Sequence, residues 1–250
     1  MHAARHLNVL AGAAVIAVNQ LANYLPLNGQ TTGEVAANFS VLSPLARFAF
    51  SIWFVIYALI VAFCVYQYAN HPAVEGLSGP FLASCAFNIA WIFLWHYGFI
   101  ALSLIATVGL TSSVATAYLR MPPHPRGIAQ YLSVNALFSI YLAWMSVTTV
   151  LHGSIILEEA DILRWGGEAV DWLVLLVLLA TVYSSHVSLL RSDPLFPLAF
   201  IWSLAALAVG SRDIPHVAYP ALGAALALIL VSLYVVARFR VESCPDIPAA

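Results

Sequence analysis

Asparagines, tryptophans and tyrosines recur at helical spacing inside stretches that are otherwise apolar. Asn19 and Asn23 stand four apart, as do Trp53 and Tyr57 and also Trp144 and Thr148, while Asn88, Trp91 and Trp95 follow one another at intervals of three and four. Residues three or four apart share one face of an α-helix. Taken together, such faces set flat aromatic surfaces beside hydrogen-bonding groups, the combination expected of a pocket for a large planar or apolar ligand. The competing reading is structural. Tryptophan and tyrosine gather at membrane interfaces, and asparagine or threonine bonds across helices as glue. Trp53, Trp91 and Trp144 lie within their segments rather than at the ends, which raises the ligand reading above that background.

Other chemistry has little equipment. His96, His152, His186 and His216 are read as lying near helix ends, and none is paired at metal-ligand spacing, so no metal residues are assigned. There is no nucleophile elbow, zinc-protease motif, phosphate loop or pair of carboxylates within a helix, so no catalytic residues are assigned either. Asp171 fits an acidic group favoured by a helix N-terminus. Cys64, Cys85 and Cys244 have neither disulfide nor metal-knuckle spacing, and the first two read as small core residues.

The elements that must position these side chains follow from composition. Of 250 residues, 62% are hydrophobic and 8% charged, against about 25% charged in an ordinary soluble domain. So few charges cannot clothe a water-facing surface, and the bilayer is the solvent. The expected fold class is an all-α integral membrane protein of about eight transmembrane helices. The segments run from residues 7 to 25, 45 to 68, 81 to 97, 99 to 119, 128 to 151, 170 to 190, 195 to 209 and 217 to 239. Gly98 is expected to break the third from the fourth. The seventh is short and bounded by Pro194, Pro197 and Gly210, which leaves open a re-entrant or half-spanning segment. The connection from Gly153 to Glu168 is the longest charged break, and it divides the chain into a five-helix bundle (1–153) and a three-helix extension (154–250). The apolar run after the N-terminus has no small-residue cleavage signal and is expected to persist as the first helix.

All nine basic residues are arginines and the net charge is -2, which lacks the basic footprint of a nucleic-acid binder. With the N-terminus inside, Arg5, Arg120, Arg126, Arg191, Arg238 and Arg240 fall on one side and Arg47, Arg164 and Arg212 on the other. Six against three favours both termini in the cytoplasm and a cell inner membrane location. Runs such as Gly223-Ala-Ala-Leu-Ala make a homodimer plausible, and they equally suit packing within one chain.

Four stretches carry a family resemblance: ANYLPLNGQTTGE from Ala22 to Glu34, FSIWFVIY from Phe50 to Tyr57, NIAWIF from Asn88 to Phe93, and FSIYLAW from Phe138 to Trp144. Over roughly residues 10 to 152 the chain resembles the tryptophan-rich sensory protein family, the bacterial relatives of the mitochondrial translocator protein, in its longer variants. The resemblance implies a five-helix bundle whose long first loop, Pro26 to Pro44, is a lid over a pocket for tetrapyrroles or other hydrophobic ligands. By position in those motifs Trp53, Asn88, Trp91 and Trp144 would line the pocket, with Tyr57, Tyr141 and Thr148 nearby. The expected function is a membrane receptor or regulator binding a hydrophobic small molecule, a tetrapyrrole such as a porphyrin or haem, with no obligatory cofactor. A transporter of such a molecule, with the seventh segment as a broken helix at its substrate site, is the alternative. An enzyme acting on the bound ligand and a purely structural protein also remain open.

Overall fold

The computed structural model describes residues 2–39, 45–69, 74–160 and 169–243. They form α1 (His2–Tyr24), a short α2 (Thr32–Ala37), α3 (Ile52–Tyr66), α4 (Ser78–His96), α5 (Ile100–Arg120), α6 (Ile128–Glu159), α7 (Ala169–Arg191), α8 (Phe196–Gly210) and α9 (Pro215–Ser243). Apart from α2, which belongs to the expected lid, these are the eight segments legible in the sequence. Seven are long and apolar enough to cross a membrane. Leu10, Val61, Ile105, Val182, Leu190 and Leu230 all stand more than half exposed on them, as side chains do when lipid rather than water covers the outside. Half of the α6 span is buried against 22% of the α7 span, so α6 is the central post and α7 an outer one.

Polar side chains set the directions of the helices. At one end, Asn8 Nδ2 donates to Gln67 Oε1 at 2.9 Å and to Ser78 Oγ at 3.0 Å, joining the start of α1 to the chain just after α3 and to the start of α4. α1 and α3 are therefore antiparallel, and α1 and α4 parallel. Gly98 breaks the chain between α4 and α5 as expected. It adopts φ +77, and the Phe99 amide reaches back to Leu94 O at 2.9 Å, a closure that needs a left-handed residue at the turn.

Two expectations change at α6. This helix opens with a π-helical turn, Tyr131–Asn135, and then runs unbroken through Gly153 to Glu159. The break between the two groups of helices therefore begins after Glu159 rather than at Gly153. Asp161 and Glu168 lie outside the described residues. His152 is likewise not near a helix end but inside α6, only 3% exposed. A glycine inside a helix costs only about 1 kcal/mol against alanine, which the burial of the following Ser154 and Ile155 outweighs, so Gly153 does not end the helix.

α8 has 15 residues, about 22 Å at 1.5 Å per residue, short of a hydrocarbon core of about 30 Å. It nevertheless connects the two ends of the bundle. Phe196, in its first turn, packs on Tyr118 near the end of α5, with ring centroids 5.8 Å apart. Towards its other end Trp202 Nε1 donates to Ala49 O at 3.1 Å, and the Ala46 amide donates to Ala206 O at 3.1 Å, both just before α3. α8 is thus wedged between the two groups of helices, where flanking protein replaces lipid and a full-length span is not required.

The turn before α8 is a polar clasp. Asp193 Oδ2 accepts from Tyr118 Oη at 2.9 Å and from Ser139 Oγ, and Asp193 Oδ1 accepts from the Leu195 amide at 3.0 Å. Arg191 donates to Tyr118 O at 3.0 Å, and its guanidinium lies 5.1 Å from the Tyr118 ring centre. Tyr118 and Ser139 are buried, so removing the carboxylate strands two hydroxyl donors. Asp193→Ala is expected to destabilise the protein by about 2–3 kcal/mol in detergent unfolding, and Asp193→Asn, which keeps an acceptor, by less. An alanine variant as stable as the wild type would show that the clasp holds nothing.

Candidate functional site

The aromatic residues singled out by spacing meet between α3, α4 and α6. Trp53 and Tyr57, one turn apart on α3, stack with centroids at 5.7 Å and planes at 27°. Trp91 lies 6.1 Å from Trp53 at 21°, Trp95 continues the stack 6.3 Å beyond Trp91, and Tyr141 meets Trp53 edge-on at 5.9 Å. These separations fall within the range of favourable aromatic pairs. Three helices thus contribute to one layered wall.

Two cavities flank that wall. The larger, about 400 Å3, is lined by Asn19, Gln20, Asn23 and Tyr24 of α1, Thr32 and Gly33 of the lid, and Arg47, Phe50, Ser51, Trp53, Phe54, Tyr57 and Trp91. The smaller, about 50 Å3, is lined by Thr32, Ala36, Leu45, Phe50, Trp91, Trp95, Trp144, Thr148, Leu151, His152 and Ile155. Thr32, Phe50 and Trp91 belong to both. Five of the seven expected site residues line a cavity: Trp53 and Tyr57 the larger, Trp144 and Thr148 the smaller, Trp91 both.

Asn88 and Tyr141 do not line either cavity. Both are fully enclosed behind the wall, where Asn19 Nδ2 donates to Asn88 Oδ1 at 2.7 Å and Asn88 Nδ2 donates to Tyr141 Oη at 3.2 Å. This chain of bonds ties α1, α4 and α6 together and fixes Tyr141 against Trp53. Its role is to hold the wall.

The indole nitrogens divide into two kinds. Trp95 Nε1 donates to Thr32 O of α2 at 3.4 Å. Trp91 Nε1 and Trp144 Nε1 are buried and have no partner. Both rings line the smaller cavity, and an unsatisfied buried donor costs about 1–3 kcal/mol. The histidines offer no such vacancy. His152 lies edge-on to Trp95 at 5.0 Å, with Nε2 at 2.8 Å from Ser103 Oγ and Nδ1 at 3.3 Å from Thr107 Oγ1. His96 engages Ile92 O through Nδ1 and Thr32 Oγ1 through Nε2. With both ring nitrogens engaged, neither imidazole is free to coordinate a haem iron as they stand.

Sequence reasoning missed Arg47 and Phe50. They lie on a 3-10 helix, Arg47–Ser51, that leads into α3. With three residues per turn, positions 47, 50 and 53 come onto one face, and all three line the larger cavity. A search at α-helical spacing leaves Arg47 off the Trp53 face. A period of three ahead of Trp53 was the available signal. Arg47 supplies the larger cavity with its one charged lining group among the described residues.

The lid helix α2 closes the cavities from one end. Thr31 caps it: the Glu34 amide donates to Thr31 Oγ1 at 3.3 Å, while the Thr31 amide donates to Glu34 Oε2 at 2.7 Å. Asn28 Nδ2 donates to His96 O at 3.0 Å and docks the preceding turn on α4. The bond from the Thr31 backbone holds the Glu34 carboxyl below its ordinary value. A depressed carboxyl pKa stabilises the folded form above the unfolded pKa and loses that contribution as pH falls through the folded one. The amide protection factors across residues 31–37, taken against the unstructured-chain rates at the same pH, are therefore expected to fall on acidification through the carboxylate range, and in Glu34→Gln to be lower and independent of pH across it. The same acid response in Glu34→Gln would rule the cap out as its source.

Asn88 generates a second expectation. Asn88→Ala removes the partner of both Asn19 and Tyr141 and is expected to cost about 2–4 kcal/mol of stability. Asn88→Asp, which keeps an acceptor for Asn19, should differ from it. An unchanged unfolding midpoint for Asn88→Ala would show that the network is dispensable.

A family model described as TSPO-like protein matches residues 5–234. No curated protein and no solved structure matches the chain. The match runs well past the stretch of residues 10 to 152 that carries the motifs, covering α7, α8 and most of α9, so the last three helices are part of what the family shares. The layered tryptophans, the capped lid and a match over nearly the whole length agree: this chain belongs to the TSPO-like protein family and is an all-helical integral membrane protein of that type.

Proposed function

We propose that this protein is a membrane receptor or regulator for a planar hydrophobic ligand bearing an anionic group, of the tetrapyrrole class. The observation that carries this reading is the pair of buried, unpartnered indole N–H groups of Trp91 and Trp144 on one cavity lining. In hydrocarbon, where water cannot rescue them, such donors are best explained by a ligand acceptor. Size and charge support the same class. The larger cavity, about 400 Å3, falls within the usual range for small-molecule sites. Trp53, Tyr57 and Trp91 give it aromatic faces, and Arg47 supplies a cation for a carboxylate. The acceptor-seeking indoles then meet a second polar group or ring substituent.

The transport reading draws less support. It needs helix ends exposed at a substrate site within the membrane, whereas α8 is continuous from Phe196 to Gly210 and lines neither cavity of the site. Both described ends of the chain lie at the end of the bundle that also carries Arg120 and Arg191, opposite Arg47 and Arg212. By the arginine bias that end faces the cytoplasm of an inner membrane.

Protoporphyrin IX titrated into the purified protein in lipid nanodiscs, followed by the porphyrin absorbance, tests the reading. Saturable binding is expected, weakened about 5- to 30-fold by Trp144→Phe, which keeps an aromatic ring but removes the donor. Arg47→Ala is expected to weaken it further and to reduce its salt dependence. Binding indifferent to both substitutions, or no binding, would sink the tetrapyrrole reading.

A further inference from the structure

A third cavity adjoins the smaller aromatic one. About 70 Å3 in volume, it lies between α6, α7 and α8, and it shares Leu45 and Leu151 with the aromatic cavity. The three spaces therefore follow one another: the Arg47 cavity meets the aromatic cavity at Phe50 and Trp91, and the aromatic cavity meets the third at Leu45 and Leu151. Their chemistry is graded in the same order. The first has a guanidinium and several amides, the second has indoles with two free donors, and the third has aliphatic groups, Phe200 and one hydroxyl. That hydroxyl, Ser203 Oγ, already donates to Ala199 O at 2.8 Å, so the third cavity offers a ligand no free donor.

We infer that the site takes an elongated amphiphile, a ring compound with an anionic edge and a hydrocarbon tail on the opposite edge, and that the last three helices build the chamber for the tail. This deepens the proposed function and rests on it. Size decides the placement. The second and third spaces are too small for a macrocycle, which belongs in the first, and a chain reaching the third from the second passes Leu45 and Leu151, which line both. An isoprenoid or alkyl chain suits the aliphatic third space, while a polar ring substituent at the head of the chain meets the indole donors of the second. The inference also gives α7 and α8 a task at the ligand site, through Leu176, Val177 and Ala180 on one and Phe200 and Leu204 on the other.

Haem b and haem o test it, since both carry two propionates and the same iron but only haem o bears a farnesyl-derived tail. Each is titrated into the wild type and into Ala180→Phe, whose added ring occupies the third cavity, in nanodiscs of one defined phospholipid carrying a photoactivatable acyl chain. Haem o is expected to bind the wild type at least about tenfold more tightly than haem b, the equivalent of roughly two buried methylene groups. In Ala180→Phe the ratio of the two affinities is expected to fall close to one. Equal affinities of the two haems for the wild type would overturn the tail chamber while leaving the ring reading standing. Failure of both haems to bind would instead overturn the ring reading, and the inference with it. Photolabelling of Leu176 or Leu204 by the bilayer lipid, undiminished by saturating haem o, would assign the chamber to a lipid acyl chain and overturn the inference as well.

Discussion

Within hydrocarbon no water is at hand to satisfy a stray donor or acceptor, so each buried polar group must find its partner inside the protein. That constraint organises this molecule. Asn8 reaches Gln67 and Ser78 at one end of the bundle, Asn19 reaches Asn88 and through it Tyr141 in the middle, and Asp193 gathers Tyr118 and Ser139 where the last helices join. Hydrophobic burial cannot choose among helix arrangements here, because lipid tails are as apolar as leucine. The hydrogen bonds and the fit of side chains choose instead. The pairing is not complete: Asn8 Oδ1, Asn135 Oδ1 and the Ser184 and Ser211 hydroxyls lack partners, as do the Trp91 and Trp144 indole donors, and only the two indoles line a cavity of the site.

The same constraint separates two roles among residues that look alike in the sequence. Trp91 and Trp95 sit on one face of α4, yet Trp95 spends its N–H on the lid and Trp91 does not. Asn88 shares that face as well and is wholly taken up by α1 and α6. One helix face thus supplies a buttress, an unpartnered donor and a latch for α2 in succession. The wall draws Trp53 and Tyr57 from α3 and Trp91 and Trp95 from α4, with Tyr141 of α6 set edge-on against Trp53, while α2 closes it through a cap, the Thr32 contacts and the neighbouring Asn28 bond.

The last three helices are not a separate body beside the first five. α8 fits against α6 and against the segment before α3, and Trp202 and Ala206 bond to backbone at Ala49 and Ala46, one and four residues from Phe50 in the cavity lining. The segment bearing Arg47 is therefore held from outside by α8 and lined from inside by the cavity.

The sequence by itself determined the solvent, the number of long apolar segments, the break at Gly98 and the aromatic residues of α3, α4 and α6. These follow from composition and from the helical period, which are local properties of the chain. Trp53, Tyr57, Trp91, Trp144 and Thr148, singled out by spacing within one helix, line the two cavities. Only the tertiary structure decided that Asn88 and Tyr141 stand behind the wall, that His152 is an interior residue with both nitrogens engaged, and that α6 runs through Gly153. Those outcomes depend on which neighbour arrives from another helix, and spacing within one segment carries no information about that. Arg47 and Phe50 lie between the two cases: their period of three is written in the sequence, but it counts only once the chain before α3 winds as a 3-10 helix, pinned there by α8.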